Sequence, residues 1–209
     1  MILKKGDFIE VLFTGKLNDG EIFDSNIVED LKNTNLNTEP KPFIFPLGKD
    51  MFVKGIDSFL IGKEIGEYSI ELKPEDAFGK RNPKLIQMVP TKAFVKNKIN
   101  PIPGAMFNFD GRLAKILTVS GGRVMVDFNN PIAGKDVFYK VIVNRIVENK
   151  KEQVSALNEL FFRKDFESEI IENKLKLKVV KTIKPLIEMF KDKYKDVLNL
   201  EIEIEEKKE

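Results

Sequence analysis

Asp24 follows directly on a phenylalanine, Phe23, within the stretch Glu10–Ser25, which reads EVLFTGKLNDGEIFDS. A carboxylate beside an aromatic ring can do one of two things here. It caps the following turn together with Ser25, or it stands at the rim of an apolar pocket. The rest of the sequence restricts what such a pocket can do. Cys and His are both absent, which removes thiol nucleophiles, imidazole bases, disulfides and the usual zinc sites. No carboxylate spacing marks a metal site, and no cofactor is expected. The chemistry left is one that needs little proton transfer and no covalent intermediate.

The elements around Asp24 must position it. Glu10–Thr14 alternates and is β-branched or aromatic, so it reads as a strand with Val11 and Phe13 on one face. Thr14-Gly15 breaks the pattern, Lys16-Leu17 resumes it, and Asn18-Asp19-Gly20 signals a hairpin that returns through Glu21–Ser25. A polar loop from Asn26 to Thr38 is closed by Glu39-Pro40-Lys41-Pro42, and Phe43-Ile44-Phe45 is again a strand. Residues 53–62 read as one short amphipathic helix, with Ile56, Phe59 and Leu60 on its apolar face and Gly62 as its C-cap. Tyr68–Leu72 alternates as a strand, and Pro74–Gly79 is a tight loop bearing Phe78.

From Lys84 to Ile132 the texture changes. A short helix is expected to begin near Thr91, followed by three strands over 105–109, 112–119 and 123–128. Asp110-Gly111 and Ser120-Gly121-Gly122 join them as turns. A meander this small cannot bury Met88, Phe94, Met106, Phe107, Phe109, Met125 and Phe128 together, so an exposed Met- and Phe-bearing patch is expected. The β-rich run Val137–Ile146 resembles the first block. The meander is therefore read as an insertion in a loop of the first domain, whose sheet that run completes.

Beyond Glu148 the chain is dense in charge. Residues 150–209 hold fourteen basic and fourteen acidic side chains, a balance that argues against a basic stripe for nucleic acid. Helical spacing at Val154, Leu157, Leu160 and Phe161, and at Leu186, Ile187, Phe190 and Val197, alternates with two one-sided strands. These are Leu175–Val180, which is basic, and Leu200–Glu205, which is acidic. They are complementary to each other or to a second copy, so a homodimer through 149–209 is one expectation. The whole chain carries a net charge of +2. It has no apolar run near the ~18 residues that span a bilayer and no apolar stretch after Lys4-Lys5 to make a leader. No membrane partner and a cytoplasmic location are expected.

Four signatures occur in order: Gly20-x-x-Phe23-Asp24-Ser25, Pro42-Phe43-x-Phe45-x-Leu47-Gly48, Val53-x-Gly55-Ile56 and Ala77-Phe78-Gly79. This series resembles the FKBP-type peptidyl-prolyl cis-trans isomerases over residues 1–83 and 133–148. The interruption is similar to the insert-in-flap domain of SlyD-like and long archaeal members, and the tail to the extra C-terminal domain of the long archaeal type. The resemblance implies an α+β fold: an antiparallel sheet wrapped on a short helix, an inserted β-rich flap domain over 84–132, and a C-terminal α/β domain over 149–209.

It also implies isomerisation of X–Pro bonds in unfolded or nascent polypeptides, at a catalytic site of Phe23, Asp24, Val53, Phe78 and Tyr139. Phe13, Phe43, Phe52 and Ile56 would bind substrate in the pocket, and Met88, Met106 and Met125 in the insert. Ile56 stands where many relatives have a tryptophan floor, and Phe78 where they have a tyrosine hydroxyl. The missing hydroxyl leaves a second reading, a non-catalytic holdase with a degenerate pocket.

Overall fold

Ten residues, many of them β-branched or aromatic, make Phe8–Leu17 (β1) a central strand of the first sheet. In the computed structural model, which describes residues 1–32, 34–109 and 111–207, β1 pairs antiparallel with Ile22–Ser25 (β2). Thr14 faces Ser25 and Gly15 faces Asp24, and the register shifts between Gly15 and Lys16. The turn between them closes with Gly20 at φ +86°, where only a residue without Cβ is comfortable.

The polar segment after β2 contains one turn of helix, Val28–Leu31 (α1), which the sequence reading treats as loop. Four residues that bury no side chain carry no apolar period to detect. Phe43–Pro46 (β3) then pairs antiparallel with β1, Val11 opposite Phe43.

Lys54–Leu60 (α2) buries Ile56 and Leu60, but not Phe59. That ring is 36% exposed, packs edge-on against Tyr68 and lies under the Lys63 ammonium at 5.0 Å. The inward position is taken by Asp57, whose carboxylate accepts the N–H groups of Gly48 and Asp50. A polar group satisfied by two backbone donors displaces the aromatic that hydropathy favours. Glu67–Leu72 (β4) follows.

The chain separates into two compact units. One joins residues 1–71 with 138–209, and the other is Leu72–Val137. The second contains Ile86–Pro90 (β5), Thr91–Lys96 (α3), Met106–Phe109 (β6), Arg112–Ser120 (β7) and Arg123–Asp127 (β8). Its sheet has four strands in the order β5-β8-β7-β6, not three. Pro90 hides β5 from the sequence reading because proline interrupts a strand pattern; it is tolerated here because β5 is at the edge. Asp110 of the expected Asp110-Gly111 turn lies outside the described residues.

One face of this sheet closes on Phe94 with Ala114, Ile116, Val124 and Val126. Phe107, Phe109 and Phe128 form a chain of ring contacts on that side. The expected exposed patch therefore keeps its methionines and loses its phenylalanines. Met88 and Met106 are 57% and 43% exposed, and Met125 is half-buried opposite Met88. All three alternate with core residues and so stand on the face turned from Phe94.

The chain returns as Val137–Ile146 (β9), and the first sheet runs β2-β1-β9-β4 with β3 on β1. Lys150–Phe162 (α4) starts at Asn149, whose side chain accepts from Lys151 and Glu152 N–H. Then come Glu167–Ile171 (β10), Lys174–Val179 (β11), Lys184–Glu188 (α5), Lys191–Leu198 (α6) and Glu201–Glu206 (β12). The basic and acidic strands pair with each other, in parallel. Lys174, Lys176 and Lys178 face Glu201, Glu203 and Glu205. Parallel pairing needs a crossover, and α5 and α6 supply it.

This tail shares an apolar cluster with the first sheet, where Phe8, Ile44 and Val147 meet Val154, Leu157, Leu175 and Leu177. Inside the cluster the Tyr194 hydroxyl donates to Asn158 Oδ1 at 2.6 Å, both residues being fully buried. Tyr194→Phe strands that acceptor away from water. We expect a loss of about 1–3 kcal/mol in urea unfolding followed by circular dichroism, with Asn158 left in place.

Candidate active site

Gly15 is the residue around which the rings close. A Cβ there would lie 2.8 Å from the Phe23 ring and 2.9 Å from that of Tyr139, so a side chain at this point of β1 would drive both rings away. With none, Phe23 meets Tyr139 edge-on at 5.7 Å. Phe13 packs on Phe52 at 4.9 Å and on Tyr139 at 6.2 Å, and Phe52 reaches Tyr139 at 6.1 Å. Phe43 joins through Phe52 at 5.3 Å, and Phe45 stacks on Phe43 at 5.2 Å. Five of the expected pocket rings, from β1, β2, β3, β9 and the segment before α2, are thus one connected cluster.

Val53 and Ile56 follow Phe52 at the start of α2. Ile56 is fully buried. Val53 is the N-cap residue, and its carbonyl accepts the Asp57 N–H at 3.0 Å. Its own N–H donates to no acceptor among the described residues, the normal condition of a helix start.

The turn after β2 is held chiefly by its next two side chains. Ser25 Oγ accepts the Ile27 N–H, and Asn26 Oδ1 accepts the Phe13 N–H at 2.7 Å. Asp24 is half-buried. Desolvation lifts its carboxyl above the ordinary value, against the pull of a hydrogen bond from the Ser25 N–H. Tyr139, 1% exposed, is held well above the ordinary phenol range by burial and then by the neighbouring Asp24 charge. It stays neutral, and its buried hydroxyl has no hydrogen-bond partner among the described residues.

The remaining expected residues belong to the second unit. Phe78 is half-buried in the loop that closes through Gly79 N–H to Pro74 O at 2.6 Å. Met88, Met106 and Met125 occupy the outer face of the four-stranded sheet. Gly15 and Phe45 complete the cluster without having been marked as site residues. The break at Thr14-Gly15 is the one sequence signal for the former. A cavity of about 890 Å³ lined by Lys4, Lys5, Lys49 and Lys150 lies elsewhere in the first unit and includes none of these rings.

Comparison with known proteins gives the family. The family profile described as FKBP-type peptidyl-prolyl cis-trans isomerase matches residues 2–99, and the profile for the IF domain of FKBP26 matches residues 87–132. A short-type peptidyl-prolyl cis-trans isomerase of Methanocaldococcus jannaschii is 30% identical over 149 residues, covering 69% of this chain and 94% of the relative. The chain belongs to the FKBP-type peptidyl-prolyl cis-trans isomerases. An FKBP-type 16 kDa isomerase of Escherichia coli K12 is 32% identical over 65% of this chain and 88% of its own length. The SlyD isomerase of Helicobacter pylori is 28% identical over 61% and 70% respectively.

For an FKBP-type enzyme without imidazole or thiol, Asp24 is, beside Tyr139, a titratable group at the ring cluster that burial desolvates. Its carboxyl is raised, so its contribution to stability is complete below the ordinary value of 3.8 and is lost as pH rises through the folded value. Asp24→Asn removes the buried charge. It should unfold at higher urea than wild type at neutral pH, with the gap closing as pH falls below the ordinary carboxylate value. An equal gap at both pH values would show that desolvation is not what Asp24 experiences.

Proposed function

We propose that the ring cluster is the prolyl site, and that the enzyme isomerises X–Pro bonds of unfolded or nascent polypeptides by stripping water from the amide. Rotation about that bond must break resonance against a barrier of about 18–20 kcal/mol. At the top of the barrier the nitrogen loses conjugation and the amide is less dipolar. A dry aromatic surface penalises the planar, polar amide more than the twisted one, which is catalysis by differential binding. No base, nucleophile, metal or cofactor takes part. A reduction of roughly 4 kcal/mol turns a step of ~100 s into one of ~0.1 s.

The observation that carries this reading is the contact of Phe13, Phe23, Phe43, Phe52 and Tyr139 in one cluster beside a desolvated Asp24. In it the Val53 N–H holds the substrate carbonyl, Ile56 is the floor, and Asp24 orients the twisted amide. Phe78 carries no hydroxyl, and the donor offered instead is the Tyr139 hydroxyl, which has no partner among the described residues.

The methionine face of residues 84–132 holds unfolded chains and concentrates them at the prolyl site. Thioethers adapt to many partners, which suits clients without a shared sequence. A homodimer through 149–209 and a cytoplasmic location belong to the same proposal. The competing holdase reading has one observation in its favour, the phenylalanine at position 78.

Phe23→Ala and Asp24→Ala should each lower kcat/KM for an Ala-Pro tetrapeptide at least about tenfold in a protease-coupled assay. Unchanged rates in both remove the site assignment, and an inactive wild type leaves the holdase. Met88→Ser combined with Met106→Ser should weaken suppression of aggregation of a denatured protein, read by light scattering. Undiminished suppression would take the holding role away from this face.

A further inference from the structure

A groove of about 710 Å³ lies beside Phe43, outside the ring cluster. Pro42, Phe43 and Ile44 form one wall, and Ala156, Glu159 and Leu160 of α4 the other. Successive residues of a strand point to opposite faces. Phe43 and Phe45 turn together toward the cluster, whereas Ile44 packs against the core that α4 shares. One groove that touches both Phe43 and Ile44 must therefore pass around the edge of β3. No second strand pairs along that edge, since among the described strands β3 pairs with β1 alone, and it is accessible at Phe43 and Ile44, which are half-buried where Phe45 and Pro46 are buried.

The groove has little charge to offer a ligand. Lys41 is engaged by Glu159 at 3.4 Å and by Glu39 at 3.6 Å, and Glu152 is engaged by Arg145. What remains is Arg163 at the C-terminal end of α4, which has no ion pair among the described residues, with apolar wall and main chain outside any strand pair. That combination suits an extended polypeptide segment of unspecified sequence, added to the sheet by main-chain hydrogen bonds. Neither family profile reaches beyond residue 132, so the α4 wall lies outside the part of the chain that those profiles describe.

We propose that the chain flanking the target proline runs from the ring cluster over Phe43, along the free edge of β3, into the groove walled by α4. The inference rests on the cluster being the prolyl site, and it gives the C-terminal segment a direct part in binding substrate. A tetrapeptide is too short to use the groove, and a longer unfolded segment fills it. The enzyme should therefore favour long substrates in KM, independently of the methionine face.

The test compares an Ala-Pro tetrapeptide with a peptide carrying several uncharged residues on each side of the same Ala-Pro bond, using the full chain. Ala156→Trp fills the groove from α4. The ratio of kcat/KM for the long peptide to that for the tetrapeptide should fall about tenfold, through KM. An unchanged ratio overturns the proposal, whether both rates persist or both decline. Titrating ¹⁵N-labelled wild type with the long peptide gives a readout that does not depend on the variant folding. Amide shifts at Ile44, Ala156 and Leu160 support the groove, and shifts confined to the ring cluster overturn it. A wild type inactive on both peptides rejects the prolyl reading instead, and the amide shifts then decide the groove separately.

Discussion

The pairing of β1 with β9 is the constraint on which the site depends. β1 brings Phe13 and the bare backbone of Gly15, and β9 brings Tyr139. Each ring contact that crosses between Phe13, Phe23, Phe52 and Tyr139 presupposes that these strands lie side by side. The hairpin to β2 then delivers Phe23 and Asp24 opposite Gly15. A strand register slipped by one residue would turn Tyr139 out of the cluster and leave Asp24 in water. The site is thus a property of the sheet's register more than of any single side chain.

The chain carries no His or Cys and belongs to this family all the same. Under the proposed mechanism a planar amide needs only a change of environment, and the ring cluster is an apolar one with few buried polar groups. The exceptions are informative. Asp24 and the Tyr139 hydroxyl are the polar groups that the rings desolvate, and both are shifted toward their neutral forms. Buried polar atoms left without partners mark places where a fold accepts destabilisation, and such places collect at functional sites.

Much of the first sheet was legible in the sequence because its strands alternate cleanly and its first hairpin carries Asn-Asp-Gly, as the inserted sheet was at its Gly-Gly turn. The β9 run was recognisable as a partner of the first block although the insertion stands between them. The positions misread each have a physical cause that hydropathy does not register. Asp57 takes the inward position of α2 because two backbone N–H groups bind it, which pushes Phe59 out. β5 carries a proline that only its edge position excuses, and β10 is short and half charged. Gly15 was visible as a break in pattern, but its role depends on rings that arrive from β2 and β9. The Lys and Glu strands left open whether they pair with each other or with a second copy; in this chain β11 and β12 satisfy each other.

β9 begins at Val137, where the second unit, continuous from Leu72, ends. As the polypeptide leaves the ribosome, every strand of the inserted sheet emerges before the last strand of the ring-bearing sheet exists. The inserted sheet is built from near neighbours in sequence, and the other must close over a separation of more than a hundred residues, the slower kind of closure. The methionine surface is therefore complete in sequence while the ring-bearing sheet is still a fragment that lacks its last strand.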